Sequence, residues 1–448
     1  MTLTEKLHSR SADFVAHKAS TARAIVIVPI LKCKQEQAEF HSASARLKEI
    51  SDLARAIKLD IIYSAWIVVP FPKTTTLLGT GKVEELCQLI NSEMINLVVV
   101  DHSITPTQQR NLEKVWNCTV IDRIELILKI FGKRAKTKEG VLQVKLAYLN
   151  HQKGRLVRSW RHLERQRGGS GFLGGPGETQ IETDRRMLRK KINHIKRELD
   201  TIVKARKLHQ VKRKKMPYPI VALVGYTNAG KSTLFNQLTG ANVPEEDMLF
   251  TTLDPILRRI KLPHGKTIIL SDTVGFISNL PTHLVAAFRA TLKEVEEADF
   301  IIHVRDLSNP NHMAHRQDVL NILLALNVDI DDSNKIIEVW NKADLLDENS
   351  IRHLHSAESI SFPIIPASAL NGRGLDALIR VVENKIAGKT ERIHIYLELE
   401  ELSLLDWLYR HGSNHHQINC EDGGVIIDVN LTRLAWYNFQ RERKKIKT

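Results

Sequence analysis

The sequence predicts a multidomain α/β protein, and three observations carry that expectation. At 448 residues the chain is too long for one ordinary domain. Apolar runs of strand length alternate with stretches of helical spacing through most of it. A basic segment centred on a glycine-rich run fits neither pattern and divides the chain. The expected order is an N-terminal α/β domain (1–140), an antiparallel helical hairpin with a Gly-rich tip (141–214), a phosphate-loop domain with a doubly wound sheet (215–388), and a small C-terminal α+β unit (389–448).

In the first unit, Ala22 to Ile30, Asp60 to Val69 and Ile95 to Val100 read as strands. Gln35 to Ile57, Lys82 to Asn91 and Thr107 to Val115 read as helices between them. Gly79-Thr80-Gly81-Lys82 is reminiscent of a phosphate loop. Val83 stands where a hydroxyl should ligate a metal, however, and the glycine spacing is wrong, so no second triphosphate site is expected.

In the hairpin, Leu142, Leu146, Leu149, Leu156, Trp160 and Leu163 follow three- and four-residue steps. Ile181, Leu188, Ile192, Ile195, Leu199 and Ile202 repeat them, which predicts two helices packed along one seam. Between them Gly168 to Gly177 holds six glycines in ten residues, a run that breaks any helix. Lys212 to Lys215 with Pro217 and Pro219 form a hinge into the third unit. After Lys385 the pattern gives a strand at Ile393 to Glu398, a helix at Leu402 to Tyr409 and a hairpin of His416 to Cys420 with Val425 to Leu431. The hairpin turns at Asp422-Gly423-Gly424, and a frayed basic tail from Arg441 to Lys447 ends the chain.

The chemistry lies in the third unit. Ile220 to Val224 is a buried-strand pattern that runs into Gly225-Tyr226-Thr227-Asn228-Ala229-Gly230-Lys231-Ser232-Thr233, and a helix follows from Ser232 to Leu238. Gly225 and Gly230 let the backbone curl so that successive N–H groups face a β-phosphate. Lys231 reaches the β/γ-phosphates, and Ser232 offers its hydroxyl to Mg²⁺. Asp272, at the end of the strand Thr267 to Leu270, opens Asp272-Thr273-Val274-Gly275-Phe276; its carboxylate serves the metal shell and the N–H of Gly275 approaches the γ-phosphate.

Asn341-Lys342-Ala343-Asp344 follows the strand Ile336 to Trp340. The Asp344 carboxylate can accept both N1–H and the 2-amino group of guanine, whereas adenine lacks that amino group and its N1 is an acceptor. Ser368-Ala369-Leu370, after the strand Phe362 to Ile365, is placed to supply backbone beside the guanine O6. The ligand expected is therefore GTP with Mg²⁺, and the reaction its hydrolysis. Phe250-Thr251-Thr252 lies between the first two motifs, where a Thr hydroxyl completes the Mg²⁺ sphere; the residues alone leave Thr251 and Thr252 open.

Phe276 stands where many switch GTPases carry a Gln that orients the attacking water. Basal turnover should be slow, because a group supplied by a partner is worth roughly 10³–10⁵ in rate. Asn228 is a candidate to hold a monovalent cation, K⁺, near the phosphates, and equally a turn-forming Asn.

Composition narrows the partners. Residues 151–216 hold 20 Lys and Arg against 6 Asp and Glu, and so carry the whole formal net charge of +14. Concentrated beside a glycine-rich run, that excess points to RNA. The longest apolar runs, Ala24 to Leu31 and Ile95 to Val100, are strand-sized, and the first residues lack the apolar core of a signal peptide, so neither a membrane span nor export is expected. Cys33, Cys87, Cys118 and Cys420 make no CxxC pair and read as reduced thiols of a cytosolic protein. His353, His355, His415 and His416 lack metal-site spacing.

These residues together resemble the HflX family of ribosome-associated GTPases. The hallmark is Gly174-Gly175-Pro176-Gly177-Glu178-Thr179-Gln180-Ile181-Glu182-Thr183-Asp184-Arg185-Arg186. GTGKVEEL at Gly79, QQRNLEK at Gln108 and VIDRIELIL at Val120 look like the N-terminal domain of that family. The likeness covers about Ala22 to Lys385. It selects Thr252 over Thr251, agrees with Phe276, and departs at Gly174, where many relatives carry Arg. It implies a stress-linked factor that docks on the large ribosomal subunit and its rRNA, separates stalled ribosomes and uses GTP hydrolysis for release; a cytoplasmic monomer without DNA contact is expected. A GTPase timing RNA modification or remodelling, and a regulator acting by protein contact alone, remain alternatives.

Overall fold

The computed structural model describes residues 22–32, 42–166, 176–213, 218–241, 250, 252, 255–263, 267–278, 292, 294–330, 332, 335–357, 362–387, 390–420 and 423–446. Most of the Gly-rich run and Thr251 lie outside them.

Alternating β and α segments build the first sheet: β1 (Arg23–Leu31), α1 (Ala43–Ala56), β2 (Asp60–Val69), α2 (Thr80–Ser92), β3 (Leu97–Val100), α3 (Pro106–Trp116), β4 (Thr119–Asp122) and α4 (Arg123–Arg134). The strands pair in parallel in the order β2-β1-β3-β4. Gly79 caps α2, and Lys82 pairs with Glu85 one turn on. Helix α3 starts on a capping box between Thr105 and Gln108 with Pro106 in the first turn. The sequence pattern misses β4 and α4. Four residues make that strand, and Asp122 ends it while capping the next helix through the N–H of Glu125 at 2.8 Å, so no turn residue separates them.

Helices α5 (Lys138–Gln166) and α6 (Pro176–Arg213) are 29 and 38 residues long and pack against each other as the expected hairpin. At 1.5 Å per residue α6 spans about 57 Å. Its sheltered apolar positions among the described side chains are Leu188, Ile192, Ile195, Leu199 and Ile202, one stripe at helical spacing. The side chains of Leu156, Trp160, Leu163 and Ile181 lie outside the described ones. The breaking run is shorter than its glycines suggest, since α6 begins at Pro176 and includes Gly177; proline at the first helical position has the right φ and sacrifices no hydrogen bond.

The second sheet runs β10-β9-β8-β5-β7-β6, with only β6 antiparallel to its neighbour. Its elements are β5 (Ile220–Gly225), α7 (Lys231–Thr239), β6 (Ile256–Lys261), β7 (Thr267–Asp272), β8 (Phe300–Asp306), α8 (His312–Ala325), β9 (Ile336–Asn341), α9 (Glu348–Ala357), β10 (Ile364–Pro366) and α10 (Leu375–Ala387). Apolar runs such as Val221 to Val224 are wholly buried because helices cover both faces. One apolar cluster crosses from the first unit and the hairpin to this one, joining Ile130 and Phe131, with Val144 of α5, to Tyr226, Phe250, Phe276 and Ile277.

The last unit is a three-stranded antiparallel sheet, β11 (Thr390–Leu397), β13 (Val425–Thr432) and β12 (Ser413–Asn419), covered by α11 (Ser403–His411) and α12 (Arg433–Ile446). The frayed tail expected from Arg441 is instead the end of α12. Phe439 is fully buried against Trp407 and Trp436, and Arg443 pairs with Glu401 at 2.6 Å; these anchors hold the basic turn in helix.

Candidate nucleotide site

Strand β5 delivers its last residue, Gly225, to the sheet edge where the chain must turn beneath β8. A Cβ on Gly225 would stand 2.3 Å from the Val304 carbonyl oxygen, and one on Gly230 would stand 2.2 Å from Asn341 Nδ2, so both close approaches require glycine. Asn228 is exposed and left-handed at φ +59°, the geometry of a turn-forming Asn. Ala229 is buried, and the loop closes on α7, whose first residues are Lys231, Ser232 and Thr233.

Three oxygens from three separate segments converge beside that helix. Ser232 Oγ donates to Asp272 Oδ2 at 2.8 Å, Thr252 Oγ1 donates to the same oxygen at 2.9 Å, and the two hydroxyls are 3.0 Å apart. Asp272 Oδ1 is buried without a hydrogen-bond partner among the described residues. A hard, all-oxygen donor set with an orphaned carboxylate oxygen suits Mg²⁺. Burial pushes the Asp272 carboxyl up, against the pull of Lys231 and the two hydroxyls.

Lys231 is buried, and its Nζ donates to the carbonyls of Gly225 and Tyr226 at 3.2 and 2.8 Å. Burial pushes its ammonium down to about 8, with Asp272 opposing. Gly275 lies against this group: a Cβ there would be 3.0 Å from Lys231 Nζ and 2.9 Å from Thr227 Cγ2. Thr273 donates to the Leu223 carbonyl at 2.5 Å, and Val274 is buried beside it.

At the other end of the site, one side chain ties three loops together. Asn341 Nδ2 donates to the Ala229 carbonyl at 2.8 Å, and its Oδ1 accepts from the Ala369 N–H at 2.9 Å. Lys342 Nζ pairs with Asp306 at 2.7 Å. Asp344 is exposed at the mouth, Ser368 is buried, and Leu370 projects outward at 77% exposure.

Phosphate loop, carboxylate, hydroxyls and the asparagine strand thus form one groove at the carboxyl ends of β5, β7 and β9, where open α/β sheets bind nucleotides. Profiles of known families match along the chain: GTP-binding GTPase N-terminal over 44–132, GTP-binding GTPase Middle Region over 134–213, 50S ribosome-binding GTPase over 220–342, and HflX C-terminal domain over 355–446. The GTPase HflX of Magnetococcus marinus is 45% identical over 357 residues, 79% of this chain and 81% of that one. The chain belongs to the HflX family of GTPases. The Escherichia coli K12 GTPase HflX is 41% identical over 82% of this chain and 84% of its own length, and that of Akkermansia muciniphila 36% identical over 90% and 93%. A GTP-binding protein from Sulfolobus solfataricus, solved in complex with GDP, is 24% identical, with 81% of this chain and 98% of that one covered and a TM-score of 0.43. As an HflX GTPase the protein binds and hydrolyses GTP.

Not every expected residue faces the groove. Phe250 turns its ring into the first unit, edge-on to Phe131 with centroids 4.7 Å apart. Phe276 is buried; its backbone bridges to the phosphate loop, with Thr227 N–H donating to the Phe276 carbonyl at 2.7 Å and Phe276 N–H to Gly225 at 3.0 Å. The sequence pattern does not single out Glu49 and Ser278, which meet the hydroxyl of Tyr226 behind the loop, or Arg123, which donates to Ser278 Oγ. It also passed over Glu338, buried one strand turn before Asn341 among Arg305, Arg316 and His303. A charged residue inside an otherwise apolar strand was the available signal for Glu338.

Proposed function

We propose that the protein is a ribosome-directed GTPase that docks on the large subunit through rRNA and separates stalled ribosomes under stress. GTP hydrolysis then permits its release. The observation that carries this reading is the concentration of the entire net charge in residues 151–216, on two long helices joined directly to the nucleotide domain. Arg185, Arg186, Arg189 and Lys190 are all solvent-exposed, as groups that meet phosphates must be. The match of 220–342 to a 50S ribosome-binding GTPase profile supports the same partner. We take the working form to be a cytoplasmic monomer.

Within the groove, Ser232, Thr252 and Asp272 would hold Mg²⁺, which when bound would neutralise charge on the phosphates. Lys231 exchanges its two carbonyl partners for phosphate oxygens, and the N–H of Gly275 reads the γ-phosphate. Asp344 selects guanine, with Ala369 beside it and Asn341 holding both loops in register. Phe276 offers nothing to the attacking water, so the orienting group comes from elsewhere, the ribosome first among candidates and K⁺ at Asn228 second. Identical rates in potassium and sodium remove the second.

Two variants test the docking. Replacing Gly168 to Gly177 by a tight connection should spare GTP binding and basal hydrolysis and abolish subunit splitting, measured by gradient sedimentation. Neutralising Arg185, Arg186, Arg189 and Lys190 should lower the slope of log affinity against log salt by about 0.7–0.9 for each lost contact. An unchanged slope together with full splitting by the shortened protein means that another surface meets the ribosome.

A further inference from the structure

Thr227 is buried in the phosphate loop, and its Oγ1 has no hydrogen-bond partner among the described residues. A buried hydroxyl left in that state costs stability, and valine would fill the same shape without the cost. The other polar groups around it are engaged. The Thr227 N–H donates to the Phe276 carbonyl at 2.7 Å, and Lys231 Nζ is held by the carbonyls of Gly225 and Tyr226 at 3.2 and 2.8 Å. The side-chain oxygen is therefore kept for something the loop binds.

Gly275 shows where this side chain stands relative to the chemistry. A Cβ on Gly275 would lie 2.9 Å from Thr227 Cγ2, 3.0 Å from Thr227 Cα and 3.0 Å from Lys231 Nζ. Thr227 and the ammonium thus border the same face of Gly275, the face on which Lys231 and the Gly275 N–H would take the γ-phosphate. Oγ1 and Cγ2 share one Cβ, so a single staggered step of χ1 exchanges them. Phe276 packs its ring into the apolar cluster shared with the first unit and brings no side-chain polar atom to this place.

A threonine hydroxyl has one proton to donate and two lone pairs to accept with. It is too weak a base to ionise water at neutral pH, yet it can accept from a water molecule while donating to a γ-phosphoryl oxygen, which turns a lone pair of that water toward phosphorus. The water oxygen then bonds to Pγ, and the bond from Pγ to the β–γ bridging oxygen breaks with its electron pair leaving on GDP. A proton of the water passes to a γ-phosphoryl oxygen. Thr227 ends with the proton it began with.

We propose that Thr227 is a catalytic residue of the free protein, whose hydroxyl orients the attacking water in place of the absent glutamine and sets the basal rate of GTP hydrolysis, beneath any acceleration a partner adds. This rests on the placement of the γ-phosphate between Lys231 and Gly275.

The test is Thr227→Val in the full chain, which keeps shape and β-branching and removes the hydroxyl. Single-turnover hydrolysis at saturating GTP and Mg²⁺ should slow by about tenfold or more, while calorimetric affinities for GDP and for a non-hydrolysable GTP analogue should stay within about threefold. The melting temperature without nucleotide should not fall, since that hydroxyl has no protein partner to lose. Thr227→Ser, which restores the hydroxyl, should recover most of the lost rate. A valine variant within about twofold of the unmodified rate, a loss of analogue affinity as large as the loss of rate, or a serine variant no faster than the valine one overturns the proposal. If Thr227→Val does not fold, Thr227→Ala carries the same expectations for rate and affinity and the same refutations. Lys231→Ala tests the underlying site separately. Undiminished GTP binding in that variant removes the placement of the phosphates, whereas lost binding there beside full turnover in Thr227→Val removes only the role of Thr227.

Discussion

Raising the pH from about 7 to about 9 should weaken GDP binding roughly tenfold, with Lys231 responsible. Burial lowers its ammonium from the ordinary 10.5 to about 8, and Asp272 restores only part of the loss. That difference corresponds to about 3 kcal/mol of opposition to the charged form. Phosphate oxygens reverse it, because they replace neutral carbonyls as partners of a cation. The free protein therefore enters binding with Lys231 about half neutral near pH 8, and the complex holds it charged. Binding should take up about 0.5 proton there and about 0.9 near pH 9, with little uptake near pH 7.

Calorimetric titration in two buffers of different ionisation heat measures this directly, since the change in apparent enthalpy gives the protons exchanged. Uptake under about 0.1 proton near pH 8, with GDP still bound tightly, would refute the reasoning. The same shift has a stability counterpart in the protein without nucleotide. The unfolded chain holds more protons than the folded one between about pH 8 and pH 10.5, so the penalty of burying this cation is complete below that window and disappears as the pH rises through it.

Asp344→Asn should move nucleotide preference from guanosine toward xanthosine triphosphate by about a hundredfold, since an amide donates to the 2-keto oxygen where a carboxylate only accepts; competition titration reads it. Phe276→Ala should cost about 3–5 kcal/mol of stability, the usual loss for a buried ring, and leave basal GTP turnover of the folded protein within about tenfold. A loss beyond about a hundredfold with GTP binding intact contradicts the view that this ring takes no part in the chemistry.

The groove was legible in the sequence because its parts are contiguous. Gly225 to Thr233, Asp272 to Gly275 and Asn341 to Asp344 each follow an apolar strand, and a strand ending in a polar cluster announces a site at a sheet edge. The C-terminal helix was not legible, since α12 is fixed by Phe439 and by the reach of Arg443 to Glu401, partners 42 residues apart in the chain. The cluster around the Tyr226 hydroxyl was less visible still. Glu49 lies 177 residues from Tyr226 and sits on an ordinary amphipathic helix, where a glutamate looks like solvent-facing charge until the fold brings a hydroxyl to it. Local pattern reports what each segment needs from water and from its own backbone, and an ion pair between distant segments leaves no trace in either.

Helix α6 also has a mechanical consequence. It is a single rod of 38 residues whose far end starts at Pro176 and whose near end, Arg213, lies seven residues before β5, the strand that carries the phosphate loop. Over about 57 Å, a pivot of only 5° at the near end sweeps the far end through roughly 5 Å, about the spacing of one helical turn. A rearrangement that tilted the near end by that angle would be amplified into a stroke on the scale of a nucleotide, and the stiffness of the rod would set how much of it arrived at the far end.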